Sequence, residues 1–524
     1  MTSPAASAYD VVVIGGGAAG LSGALALGRA RRRVLVLDDG TPRNAPADGV
    51  HTLLGHEGVA PLALLATGRE EVARYGVETV SAAVAGAERT PEGFRVVLAD
   101  GTSVGARRLL VTTGLTDVLP DVPGLADRWG REVLHCPYCH GWEVRDLPLG
   151  VLGTGPLSFH QALMWRQWSD DLTLFLHAMP ELTDEQAEQL DARGVTVVRE
   201  RVARLAVADD RLTGVALADG RVVPVEALAV TPLFTARTGF LDGLGLVPVE
   251  RERGGQVVGT VLPVDETGAT PVPGVWAAGN VTNPSAQVVG AADAGVRAGA
   301  AINADLTAEE TAAAVAARRA AREWDERYAQ SERVWSGEPN TELVRHVTAL
   351  PPGRALDLGC GEGGDAVWLA SRGWRVTAVD VSRVALGRAA RHAADAGVAD
   401  RIDWQRHDLA TSFPAGSHDL VSAQFLYSLT DMPRERILRS AAAAVAPGGV
   451  LLIEGHAGLP HWEDADAHGD IHLPTPDEVV ASLRLPAGEW EVLVSEEHER
   501  TQLAPDGTPA VRTDNTVMLR RLPR

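Results

Sequence analysis

The chain is 524 residues long, 45% hydrophobic and 22% charged, with a formal net charge of −21. The length implies about two to four domains rather than one core, and the acidity argues against a nucleic-acid backbone or an anionic membrane surface as a main partner. All 48 basic residues are arginine, which excludes a pyridoxal Schiff base and a Walker-type phosphate loop, since both need lysine.

Asp10-Val11-Val12-Val13-Ile14 reads as a buried strand, Gly15-x-Gly17-x-x-Gly20 turns into a helix reaching about Ala30, and residues 34–37 form the next strand. Residues 11–28 carry no charge. Gly15, Gly16, Gly17, Gly20, Gly23 and Gly28 interrupt that run and no basic residue precedes it, which disfavours a signal peptide or membrane helix and makes the cytoplasm the expected compartment. Arg29, Arg31, Arg32 and Arg33, the basic cluster, are expected at the helix end, where cations suit the dipole. In the glycine signature, Gly15 permits the tight turn, Gly17 lets the backbone approach a pyrophosphate, and Gly20 lets the helix pack on the strand. The helix N-terminus would hold the phosphate, and Asp38 stands where an acid takes ribose hydroxyls.

The strand–glycine–helix–strand order recurs at residues 149–176 and 354–379. Strand-like segments with turns fill 93–111 and 195–230. Residues 271–279 lead into a small-residue helix over 286–306, and an alanine- and charge-rich linker helix follows over 307–327, with the boundary between the halves near 305–325.

Between the first two signatures lies Cys136-Pro137-Tyr138-Cys139; the third cysteine, Cys360, is isolated. Such spacing is no secreted disulfide framework. A Cys-x-x-Cys thiol has a lowered pKa and is nucleophilic: one sulfur attacks a disulfide and the other resolves the mixed disulfide. A zinc half-site is the alternative, and no second cysteine pair exists to complete it.

These residues resemble the thioredoxin reductase-like flavoproteins over roughly residues 8–306. Thr113-Gly114 with Leu119-Pro120-x-Val122-Pro123-Gly124 is similar to that family's crossover between domains. Val275-Trp276-Ala277-Ala278-Gly279-Asn280 is similar to its second flavin motif, followed by Gln287 at a helix start. The resemblance implies FAD, held by Gly15, Gly17, Gly20, Asp38, Gly114, Gly279, Asn280 and Gln287, with asparagine at 280 where the family usually has aspartate. It implies that Cys139 lies against the flavin and that Cys136 meets the substrate. His140, where relatives commonly carry aspartate, is the expected acid/base, with an orienting hydrogen bond as its alternative role, and His135 is expected to be structural. Residues 135–143 also resemble a subgroup of dithiol oxidases, which oxidise paired thiols of small natural products and pass electrons to oxygen. In the second unit, Gly153-Thr154-Gly155-Pro156-Leu157-Ser158 lacks the third glycine, and Pro156 removes an N–H. No arginine pair follows the next strand. NAD(P)H use therefore stays open, with oxygen, ferredoxin or another electron donor or acceptor as the alternative.

Ala355-Leu356-Asp357-Leu358-Gly359-Cys360-Gly361-Glu362-Gly363 enters a third glycine loop, and Val376-Thr377-Ala378-Val379-Asp380 ends in an acid. Arg406-His407-Asp408-Leu409, Asp419-Leu420-Val421-Ser422 and Pro447-Gly448-Gly449-Val450-Leu451-Leu452-Ile453 complete the order. This resembles the class I S-adenosylmethionine-dependent methyltransferases over about residues 320–524. By that resemblance the loop of Asp357, Gly359 and Gly361 approaches the methionine moiety, Asp380 takes the ribose hydroxyls and Asp408 contacts the adenine. Cys360 reads as a packing residue. Tyr328 and Trp335 read either as a lid over the cofactor or as core aromatics. His456 is a candidate for the acceptor pocket. His461, His468 and His472 alternate with acids in what reads as a solvated loop, and no metal site is expected.

The expected fold is therefore α/β: a two-domain thioredoxin reductase-like flavoprotein with two Rossmann-type units, then a Rossmann-like methyltransferase domain. The flavin domain takes residues 1–117 and 240–306, the second unit with the dithiol takes 118–239, the linker helix and lid take 307–339, and methyl transfer takes 340–524. The expected function is a flavin-dependent thiol/disulfide oxidoreductase fused to a methyltransferase acting on small-molecule thiols. Two alternatives stand beside it: an NAD(P)H-dependent reductase of a thioredoxin-like protein with an unrelated methyltransferase, and a flavin-bound sensor or docking module. The methyl acceptor is unspecified, no nucleic acid or membrane is expected as partner, and homodimerisation stays open.

Overall fold

The computed structural model describes residues 9–428, 432–458, 472–503 and 508–523. The chain divides into two compact units between Thr307 and Ala308.

In the first unit, the strand Tyr9–Ile14 is almost wholly buried. It pairs in parallel with Val34–Asp38 on one side and Ser103–Val111 on the other, the central position that its β-branched run suits. The sheet runs Glu78–Ser81, Val34–Asp38, Tyr9–Ile14, Ser103–Val111, Gly93–Leu98 and Val84–Thr90. Val275–Ala277 adds in parallel beside Ser103–Val111, so this sheet takes a strand from far along the chain. A second, all-parallel sheet is ordered Thr196–Val198, Leu172–Phe175, Leu149–Leu152, Ala227–Val230 and Val133–Leu134. A four-stranded sheet carries the antiparallel hairpin of Val249–Arg253 and Gln256–Val261.

Two local expectations are corrected. The first helix, Ala18–Arg29, stops at Arg29. Arg31 then takes a left-handed φ of 64°, and Arg32 donates to Asn303 Oδ1 at 2.7 Å. Arg29 donates to Tyr75 Oη at 2.7 Å and Arg33 lies over the Tyr9 ring, so the basic cluster is a turn with the arms of Arg29, Arg32 and Arg33 tied down, and only Arg29 stands in the last helical turn. The expected pair of helices over 286–306 and 307–327 is one helix, Val288–Ala329, of 42 residues. Residues 300–329 contain neither glycine nor proline to interrupt it.

In the second compact unit the sheet order is Ile402–Arg406, Arg375–Asp380, Arg354–Leu358, His418–Gln424, Val445–His456, Pro509–Arg521 and Trp490–Leu503. The first five strands are parallel, and the last two are antiparallel additions. Leu356, Leu358, Val421, Ile453 and Val517 are fully buried in it. In open parallel sheets ligands bind beyond the carboxyl ends of the strands, and all three glycine signatures lie at such ends. Among the described residues no helix is long and apolar enough to cross a membrane.

Candidate active sites

A cavity of about 1070 Å³ opens at the carboxyl ends of the first sheet. Its lining includes Gly15, Gly17, Asp38, Gly114, Gly279, Asn280 and Gln287 and also Cys136, Cys139 and His140, so the structure brings these expected flavin and dithiol residues into one chamber. Gly20 is the exception: it stands behind the loop, where a Cβ would overlap the Gly15 carbonyl oxygen. Gly15 has φ 107°, and a Cβ there would stand 2.5 Å from Thr112 O. Gly17 differs: among the described residues nothing lies within 4 Å of the place a Cβ would take. That bare backbone, opening on a chamber this size, fits the close approach of a dinucleotide pyrophosphate. Asp38 accepts from Gly16 N at 3.1 Å, which holds its carboxylate over the loop. Asn280 spends its amide nitrogen on the carbonyls of Asn283 and Ala286, at 3.1 and 2.9 Å, and so braces the turn. Gln287 Oε1 accepts from Thr52 Oγ1 at 2.7 Å.

Cys136 and Cys139 are joined as a disulfide, with Cα atoms 5.2 Å apart. Cys136 leads into the short helix Pro137–His140; its carbonyl accepts from Cys139 N and His140 N, each at 3.1 Å. Pro137 at the first position suits a helix start, where the missing N–H is not needed. Burial lowers the pKa of His140, Glu143 opposing and His51 assisting, so its imidazole is neutral near pH 7. His135 is partly buried, its value pushed to about 4 chiefly by desolvation, and its Nδ1 lies 3.2 Å from Val230 O. Tyr138 and Trp142 are exposed beside the disulfide.

In the second unit the phosphate seat is taken by the chain itself. A Cβ on Gly155 would overlap the amide of Gln256, which the hairpin of the four-stranded sheet inserts there. Thr154 N is engaged by Ser158 Oγ at 3.0 Å, and Leu157 N points at Gln256 Oε1 at 3.5 Å. With Pro156 lacking an N–H, this loop has few donors left for an anion. Gln256 lies about a hundred residues from Gly155 in sequence, and no local signal marks it.

In the second compact unit, Gly359, Gly361 and Gly363 all have positive φ, from 52° to 86°. Asp380 accepts from Gly361 N at 2.9 Å and Ser382 N at 2.8 Å. Asp357 is buried and its Oδ2 has no hydrogen-bond partner among the described residues. Burial, with Asp365 and Asp380 nearby, raises its pKa. A buried carboxylate oxygen without a donor, among further acids, fits a cationic cosubstrate such as S-adenosylmethionine. Tyr328 is buried and accepts from Trp335 Nε1 at 2.8 Å, and both rings face Gly361. They therefore cover the glycine loop. Asp408 Oδ1 accepts from Ala410 N at 2.9 Å and shapes its own turn. Cys360 is buried and packed, its thiol pushed up by desolvation. His472 Nε2 lies 3.1 Å from Glu478 Oε2; His461 and His468 lie outside the described residues.

Residues 9–299 match the model of the pyridine nucleotide-disulphide oxidoreductases, and residues 355–449 match that of a methyltransferase domain. The chain belongs to the pyridine nucleotide-disulphide oxidoreductase family, and its C-terminal part is a methyltransferase domain. It is 33% identical over 314 residues to the thioredoxin reductase sirT of Leptosphaeria maculans, covering 57% of this chain and 94% of that one. The crystal structure of HlmI is 49% identical with a TM-score of 0.55, covering 60% of this chain and 97% of that one. An oxidoreductase from Agrobacterium tumefaciens is 35% identical with a TM-score of 0.54, covering 57% and 99%. The protein is thus a thioredoxin reductase-like oxidoreductase fused to a methyltransferase domain, and both parts are enzymatic. The families imply FAD with NAD(P)H in the first part and S-adenosylmethionine in the second.

Proposed function

We propose that the first half oxidises paired thiols of a small molecule through Cys136 and Cys139, and that the second half S-methylates thiols of the same class of compound. The observation that carries the redox reading is the disulfide standing in the same chamber as the flavin-type glycine loop. A substrate thiolate attacks Cys136 Sγ and Cys139 leaves as thiolate; the second substrate thiol, giving its proton to His140, then attacks the substrate sulfur of the mixed disulfide, and Cys136 leaves as thiolate. Bound FAD supplies a two-electron acceptor for that dithiol and a route onward to dioxygen, which leaves as hydrogen peroxide. Gln256 in the phosphate seat of the second unit favours oxygen over NAD(P)H as the redox partner. A cytoplasmic location suits the free thiol Cys360.

The test is an anaerobic visible spectrum of the purified protein. We expect no bleaching of the flavin by NADPH or NADH, bleaching by a dithiol such as dithiothreitol, and recovery on admitting air. Rapid bleaching by a nicotinamide would instead make it a reductase, with a thioredoxin-like protein among the acceptors. Labelled S-adenosylmethionine with the same dithiol tests the second half, and methyl transfer only to oxygen, nitrogen or carbon would overturn the thiol reading.

A further inference from the structure

We propose that His456 is the general base of the methyl-transfer site, oriented by Asp514, and that it takes the proton of the acceptor thiol through Nε2. The choice of a thiol rests on the function proposed above; the base itself rests on the following geometry.

His456 ends the strand Val445–His456, at the carboxyl edge of the parallel sheet. Its neighbour His418–Gln424 continues into Phe425, Leu426 and Tyr427, and Phe425 N donates to Glu454 O at 3.0 Å. Leu426 rests on the cofactor loop, since a Cβ on Gly359 would lie 2.9 Å from its Cδ1. The residues on either side of Leu426 sandwich the imidazole. Phe425 lies 4.8 Å from His456 between ring centres, and Tyr427 lies 5.2 Å away and parallel to it. Tyr427 Oη also accepts from the His456 backbone N–H at 2.7 Å.

The remaining freedom of the ring is removed by Asp514. This carboxylate is fully buried; its Oδ1 lies 2.8 Å from His456 Nδ1, and its Oδ2 accepts from Arg500 Nε at 2.5 Å. The antiparallel register places His456 opposite Asp514. An imidazole that donates Nδ1–H to a carboxylate carries its lone pair on Nε2, and Nε2 has no partner among the described residues. A nucleophile's base held by a third group is the arrangement that activates weak nucleophiles. Phe425 has φ 48°, a left-handed conformation that bulky side chains rarely adopt. Such strain persists where surroundings impose it, and it collects at functional sites.

Burial above all keeps the ring neutral at physiological pH. Burial lowers the pKa of His456, Asp514 opposes, and Arg512 and Arg500 assist. Asp514 is itself held low, because hydrogen bonds from His456 and Arg500 outweigh its burial. Across the sheet, Glu454 is raised to about 7 by burial and pairs with His498 at 2.8 Å. Arg434, lowered by burial, lies over the Tyr427 ring at 5.3 Å. In the reaction, the acceptor S–H bond breaks and its proton passes to Nε2. The thiolate sulfur forms the bond to the methyl carbon, the carbon–sulfur bond of the sulfonium breaks with its electron pair kept by the departing thioether, and His456 returns the proton to water.

The test uses the full chain, methyl-labelled S-adenosylmethionine, dithiothreitol as thiol probe and catechol as hydroxyl probe. For His456→Gln we expect a fall in kcat/KM on the order of a hundredfold at pH 7. Its rate should climb with pH until the probe thiol ionises unaided, in the alkaline range of free thiols, while the wild type levels off nearer neutrality. Added imidazole should restore part of the rate of His456→Ala. His456→Gln with the wild-type rate and pH profile overturns the proposal. Methylation of catechol and not of dithiothreitol overturns the thiol reading alone, and the base then stands or falls on the same comparison with catechol. A second readout needs no turnover. Nitrogen-15 spectra of histidine-labelled protein, assigned through His456→Gln, should show neutral His456 as the Nδ1–H tautomer at pH 7, shifted in Asp514→Asn. An Nε2–H tautomer or an imidazolium at pH 7 overturns the proposal, whatever the turnover of the variants.

Discussion

Gly17 and Gly20 belong to the same short signature, yet the structure gives them opposite reasons for lacking a side chain, and paired alanine substitutions separate them. Gly17 has φ −77° and ψ −173°, an extended conformation open to any residue, and no atom of the described residues lies within 4 Å of its missing Cβ. Gly17→Ala should therefore leave the flavin-free protein as stable as the wild type, or more stable by about 0.4–1 kcal/mol through the unfolded chain. The methyl group would instead stand where a pyrophosphate must approach. Displacing that contact costs about 1–3 kcal/mol, and weakening one charge-assisted hydrogen bond adds about 1.5–3 kcal/mol. The sum, roughly 2.5–6 kcal/mol, is a loss of about 70-fold to about 2 × 10⁴-fold in flavin affinity. In Gly20→Ala the methyl would overlap Gly15 O and sit 2.6 Å from Thr112 Oγ1, far inside the ~3.5 Å at which non-bonded carbons are comfortable. Backbone must move, so the flavin-free protein itself should lose about 3 kcal/mol or more. The assay is calorimetric melting of flavin-stripped protein together with titration of FAD followed by absorbance. Wild-type FAD affinity in Gly17→Ala, or wild-type flavin-free stability in Gly20→Ala, would refute the reasoning.

Cys136→Ser should abolish oxygen uptake with dithiothreitol while leaving bound flavin intact, and full turnover by this variant in an oxygen-electrode assay would refute the dithiol mechanism. Since burial lowers the pKa of His140, its base form prevails above and somewhat below the ordinary 6.5. The dithiol oxidation rate should thus hold through neutrality and fall only as pH drops through the lowered value, and His140→Gln should flatten that limb; a rate that rises on acidification contradicts the assignment. Asp357→Asn should weaken calorimetric binding of S-adenosylmethionine by about tenfold or more, the order expected for a hydrogen bond to a charged group. The same variant should leave the ligand-free melting temperature equal or higher, since it relieves a carboxylate crowded by Asp365 and Asp380; unchanged binding would remove Asp357 from the site.

Much of the architecture is a property of the sequence alone. Hydrophobic strands ending in glycine loops are local features, because a tight turn, a bare backbone and a helix start all depend on residues within ten positions of one another. The signatures at Gly15, Gly153 and Gly359 declare themselves for that reason, as does the Cys-x-x-Cys. Other features depend on distant segments meeting. One is the sheet's use of Val275–Ala277 beside Ser103–Val111; another is the single helix Val288–Ala329, whose composition suggested two. The insertion of Gln256 against Gly155 is decided by where a hairpin lands, and nothing near either residue records it. The same holds for His456. The chain order offers it as one histidine after a strand, and only the register of Val445–His456 against Pro509–Arg521 sets Asp514 opposite it. Only the left-handed turn at Phe425 brings the aromatic rings to either side. Local backbone demands are written in consecutive residues. Cross-strand partners, buried charge pairs and the filling of a seat are consequences of packing, and packing exists only in three dimensions.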